Sequence, residues 1–96
     1  MAGADVIGSN CGNGIDNMVK IAREYRACSD LPVIIQSNAG LPETRGGNLV
    51  YPETPEYIAT RVKALIEAGV SIIGGCCGTT PEHIVAIRRE VDWIIR

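Results

Sequence analysis

"VSIIGGCCGTTPEHI", residues 70–84, holds a strand, a turn and a helix start in fifteen positions. The run "VSIIGG" at 70–75 is apolar with little alternation, as expected of a parallel strand buried on both faces. "TPE" at 80–82 supplies a hydroxyl cap, a proline at the first helical position and an acid on the positive end of the helix dipole. Cys76 and Cys77 lie side by side between the two. This is the pattern of one βα unit, and it is repeated upstream.

Two more apolar runs, "PVIIQ" at 32–36 and "ADVIG" at 4–8, are each followed by a one-sided helical stripe. The stripes are Ile15, Met18, Ala22 and Tyr25; Ile58, Val62, Leu65 and Ile66; and, after residue 80, Ile84, Ile87, Val91, Ile94 and Ile95. "TPE" recurs at 54–56, ahead of the second stripe. The order β-α-β-α-β-α leaves a doubly wound sheet or a β/α barrel. An eight-unit barrel takes roughly 250 residues, about 31 per unit, and 96 residues over three units give 32 each. The expected fold is therefore α/β: three consecutive βα units, a C-terminal portion of a (β/α)8 TIM barrel. Right-handed crossovers would put all three helices on one face of the sheet and leave the other apolar face to be covered by a missing barrel portion or another copy of the chain. The Gly/Pro-rich stretch 38–53 reads as a functional loop above the sheet.

Composition narrows the function. Ninety-six residues make one domain, and 46% hydrophobic content without phenylalanine points to an aliphatic interior. A net charge of −2 with interspersed signs offers no basic stripe for nucleic acid and no polybasic membrane anchor. No apolar stretch approaches the roughly 18 residues of a membrane span, and the N-terminus lacks a signal-peptide pattern, so a cytoplasmic location is expected. Four cysteines in a chain with long periodic segments read as reduced thiols rather than a disulfide framework.

Cys11, Cys76 and Cys77 fall just past the ends of the first and third runs, where β/α barrels carry their chemistry. Strands two apart are separated by about 9.6 Å, a gap that inward-reaching cysteines can close around an ion with Zn–S bonds of about 2.3 Å. Three thiolates and one open position describe a catalytic rather than a structural zinc site. Other readings stand beside this one. The vicinal pair can be an inert buried couple or a strained disulfide, and the glycines of "CGNG" and "GGCCG" can cradle a phosphate, although neither has dinucleotide or P-loop spacing. A dithiol redox module is disfavoured because the pair is adjacent rather than C-x-x-C. Cys28 reads as a packing residue and Trp93 as packing or interface. His83 reads as solvent-facing or locally hydrogen-bonded, and Glu43, Arg45 and Glu53 as solvated.

With "SNCG" around Cys11, "NAGLPE" at 38–43, "VYPETPEYIA" at 50–59 and "GGCCGTTPEHI" at 74–84, the chain resembles the homocysteine S-methyltransferase family along essentially its whole length. It is most similar to the homocysteine-binding module of the cobalamin-dependent, methionine-forming members. The resemblance implies a β/α barrel in which one cysteine after the sixth strand and a pair after the eighth hold zinc. Here these are Cys11, Cys76 and Cys77, so residues 1–96 correspond to units 6 to 8. It also implies homocysteine as substrate, methyl-cobalamin as methyl donor in the full enzyme, and corrinoid- and folate-binding modules as partners. In the family the groups holding the two ends of homocysteine lie on the first five strands, which have no counterpart here. No substrate-binding or catalytic side chain is assigned, and the chain alone is expected to be inactive. Ser37 stands where related enzymes often have proline, and Asn10, beside Cys11, is expected to steady that ligand. The rival expectation is a catalytically silent fragment that self-associates through its uncovered sheet face.

Overall fold

The computed structural model describes residues 3–95. Its elements are β1 (Ile7–Cys11), α1 (Ile15–Cys28), β2 (Val33–Ser37), β3 (Glu43–Arg45), β4 (Asn48–Val50), α2 (Pro55–Glu67), β5 (Val70–Gly75) and α3 (Pro81–Ile94). β1, β2 and β5 form one parallel sheet in that spatial order, and β3 and β4 form a separate antiparallel hairpin. Alternating βα units and parallel strands are thus present as expected.

β1 runs three residues later than the apolar run suggests. Its register pairs Ile7 with Val33 and Cys11 with Ser37, so Ser9, Asn10 and Cys11 belong to the strand. Cys11 ends β1 rather than following it. An apolar-run criterion stops at Gly8 because the residues after it are polar, yet they continue the same ladder. The stretch 38–53 is also more ordered than a loop: Gly46 and Gly47, both at positive φ, make the two-residue turn that closes the β3–β4 hairpin.

All three helices share one core. Val33 and Ile35 of β2 meet Ile15, Met18 and Ala22 of α1 and Ile58, Val62 and Leu65 of α2, each at most 1% exposed. Each of these side chains except Ala22 contributes about 1.5–3 kcal/mol by leaving water. Thr54 Oγ1 accepts the Tyr57 N–H and starts α2 as its sequence implies. α1 has no such cap: its N-cap is Gly14, which has no side chain to offer.

The third stripe is only partly buried. Ile87 is inside, but Ile84 is 46% and Ile95 64% exposed, and Trp93 at 67% is not a core residue. Cys28 is exposed as well, so its expected packing role does not hold. The sheet face opposite the helices is less apolar than the runs imply. Gly8, Ile34 and Ile72 make one row across it, and Asn10, Gln36 and Gly74 make the next, toward the cysteine end. The molecule is a slab of 48 × 32 × 18 Å. Among the described residues, no helix is long and apolar enough to cross a membrane.

Candidate metal centre

Cys11, Cys76 and Cys77 come together at the C-terminal end of the sheet, their Sγ atoms all within 4.8 Å of one another. β2 lies between the two strands that supply them and organises both loops through the residues that follow it. Asn38 donates its backbone N–H to Cys11 O at 3.2 Å and its Nδ2 to Gly12 O at 3.0 Å, and its Oδ1 accepts the Cys77 N–H at 3.0 Å. Ala39 N–H donates to Cys77 O at 3.0 Å, and Cys76 N–H to Ser37 O at 2.8 Å. Thr79 Oγ1 closes the second loop by donating to Cys76 O at 2.6 Å. Gly78, at φ 81°, leaves room for the Tyr51 ring, which lies where a Cβ would sit.

Cys11 itself has φ 66°, the one described non-glycine residue with positive φ. A left-handed conformation at such a residue costs about 1–3 kcal/mol and persists only where neighbours enforce it. Here the Asn38 N–H grips the Cys11 carbonyl.

The sulfurs are electrostatically unequal. Cys11 Sγ is 2.8 Å from Cys76 Sγ and accepts from Asn10 Nδ2 at 3.3 Å. The hydrogen bond between the two sulfurs lowers the Cys76 thiol below its usual range and raises Cys11 to about 11, the nearby sulfur charges adding to the rise. The pair therefore loses its first proton more readily than its second, the remaining hydrogen lying between the two sulfurs. All four cysteines are free thiols.

The donor set fits a thiophilic cation. Three sulfurs on a tetrahedral zinc with bonds of about 2.3 Å stand roughly 3.8 Å apart. Cys11 and Cys76 stand 2.8 Å apart and no pair is separated by more than 4.8 Å, a cluster tight enough to surround one such ion. Cys77 is exposed and the other two are half-buried, so a fourth ligand can reach the cluster from solvent.

The remaining candidates lie elsewhere. His83 is buried and not in the cluster: its Nε2 donates to Glu53 O at 2.8 Å, and its Nδ1 accepts the Thr80 N–H at 3.1 Å. Glu53 is half-buried rather than solvated, and its Oε1 accepts the Ile15 N–H at 3.0 Å, supplying the cap that α1 lacks. Burial pushes its carboxyl up against the opposing pull of that hydrogen bond. Glu43 and Arg45 are exposed and pair with each other on β3. Sequence reasoning passed over Asn38 and misread Glu53. The available signals were a polar residue two positions after the central apolar run and a first helix without a capping residue of its own.

The sequence profile of homocysteine S-methyltransferase matches residues 1–91. Methionine synthase of Mycobacterium leprae (strain TN) is 41% identical over 90 residues, covering 93% of this chain and 8% of that protein. Methionine synthase of Mycobacterium tuberculosis (strain ATCC 25618 / H37Rv) is 41% identical over 95 residues, covering 98% of this chain and 8% of that protein. The chain thus spans only a small part of either relative. Because the profile match runs through all three βα units and all three clustered cysteines, the chain belongs to the homocysteine S-methyltransferase family.

Proposed function

We propose that Cys11, Cys76 and Cys77 hold a zinc ion and that residues 1–96 are units 6 to 8 of a (β/α)8 barrel that activates the thiol of homocysteine for methyl transfer, giving methionine. The observation that carries this reading is the convergence of three sulfurs, from opposite edges of the sheet, within 4.8 Å. Zinc bound there supplies Lewis acidity that favours the thiolate form of an incoming alkyl thiol, which at neutral pH is otherwise mostly protonated. The chain's own residues prepare the site. Asn10 steadies Cys11 through its sulfur, Asn38 fixes the spacing of the two loops, and the hydrogen bond between Cys11 and Cys76 favours loss of one proton from the pair. The methyl donor is methyl-cobalamin in a longer, cytoplasmic enzyme with corrinoid- and folate-binding modules, and the rest of the barrel supplies the groups that grip the two ends of homocysteine.

Metal analysis of reduced protein tests this. About one zinc per chain is expected, lost in Cys76→Ser and in Cys11→Ser, whereas Cys28→Ser keeps it. Zinc-free reduced protein that takes up no added zinc would sink the reading.

A second reading, a silent fragment that self-associates, draws on Ile72 of the edge strand β5, which is 46% exposed. It expects light scattering to give a multiple of the 10.2 kDa chain mass, with dissociation in Ile72→Lys.

A further inference from the structure

Three hydrogen bonds converge on Glu53, a residue that contacts no cysteine sulfur. Its N–H donates to Ala39 O at 3.0 Å, its carbonyl accepts from His83 Nε2 at 2.8 Å, and its Oε1 accepts the Ile15 N–H at 3.0 Å. Each leads toward the cluster. Ala39 in turn donates to Cys77 O, and Ile15 opens α1 four positions after Cys11. His83 belongs to α3, whose first turn follows the cysteine pair, and its Nδ1 side is tied to Thr80.

The seat is made for this side chain. At Gly14, φ 125°, a Cβ would stand 2.3 Å from Glu53 Oε2; at Gly40, φ 87°, it would stand 2.9 Å from Pro52 Cγ and 3.2 Å from Glu53 Cγ. Two glycines therefore clear the space that lets an acid from the far side of the β3–β4 hairpin reach the N-terminus of α1. An anionic oxygen suits that position, where unpaired N–H groups and the helix dipole present positive charge. A cap local to α1 would satisfy the same N–H group but would not connect it to the Cys77 loop.

We propose that Glu53 is a positioning residue that locks the Cys11 loop and the Cys77 loop into one frame, with His83 as the strut behind it. The proposal rests on the metal reading above for its cobalt readout only. Groups that orient metal ligands without touching the metal typically change affinity by about 10–100-fold when removed.

Two measurements test it. In a Co(II) titration of the reduced protein, followed by the thiolate-to-cobalt charge-transfer band, Glu53→Ala should bind at least about tenfold more weakly. Glu53→Gln, which keeps an acceptor oxygen, should restore both affinity and band shape. Val62→Ala, which loses core volume in the middle of α2, should lower stability yet keep the wild-type spectrum. Wild-type binding by Glu53→Ala, or equal weakening by Val62→Ala, overturns the proposal. The second measurement needs neither metal nor variant. Native-state hydrogen exchange of metal-free wild type should show the Ile15, Ala39 and Glu53 amides opening as one unit with a common denaturant dependence; three independent openings overturn the proposal. A wild-type protein without a cobalt band refutes the metal reading instead, and the exchange result then decides the role of Glu53.

Discussion

α1 and α2 bury their apolar stripes deeply, whereas α3 packs through Ile87, Val91 and Ile94 with less burial and is tied at its first turn by His83. The first two helices place Ile15, Met18, Ala22, Ile58, Val62 and Leu65 at 0–1% exposure, while α3 buries only His83 and Ile87, neither completely, and leaves Ile84 half in water. The cysteine pair sits at the start of α3. One half of the molecule thus draws its stability from apolar area, and the other draws its geometry from a few directed polar contacts. This difference shows that a site can be well defined where the core is thin, provided its hydrogen bonds converge.

The largest contrast is expected between core and edge. Leu65→Ala should cost about 2–5 kcal/mol in urea unfolding, by lost transfer energy and the cavity left behind, while Ile84→Ala, at a side chain already half in water, should cost about 1 kcal/mol or less. Similar losses at both positions would erase the distinction. Next comes the strut. His83→Ala leaves the Glu53 carbonyl and the Thr80 N–H without their partner and should cost about 1–3 kcal/mol. A smaller effect is expected at the strained residue. Metal-free Cys11→Gly should be more stable than metal-free Cys11→Ser by about 1 kcal/mol, because glycine accepts φ 66° without strain.

The smallest effect separates two acids in the acid range. The hydrogen bond from Tyr57, reinforced by Arg61, holds Asp16 below the usual carboxyl range. Its contribution is therefore complete above the usual value and is lost as pH falls through the lowered one. Glu53 is shifted the other way by burial, so its term favours the folded state most in acid and is lost as pH rises through the raised value. Between about pH 3 and 6, Asp16→Asn should flatten the rise of stability with pH and Glu53→Gln should steepen it. Slopes of the same sign would contradict the assignment of the two environments.

Much of this arrangement was legible in the sequence because it rests on local signals. The run 70–75 matches β5 residue for residue, the two "TPE" sites start α2 and α3, and the stripes of α1 and α2 face the core, with Tyr25 and Ile66 at its margin. The three cysteines were singled out by their position near strand ends, and the structure brings their sulfurs together. What escaped depends on contacts distant in the chain. Nothing adjacent to Glu53 reveals that it caps a helix beginning 38 positions earlier. Asn10 and Gln36 lie at the polar ends of their strands, so the apolar runs exaggerated the hydrophobicity of the open face. The exposed half of α3 looks like any amphipathic helix until its neighbours are seen.

The 18 Å dimension of the slab has a calorimetric consequence. One helix layer on one sheet layer withholds little apolar surface from water, and the heat capacity released on melting scales with that surface. The increment should therefore fall below the roughly 12–15 cal/mol/K per residue usual for globular proteins. The resulting free-energy curve is broad and low, with stability that changes little over the ordinary range of growth temperatures.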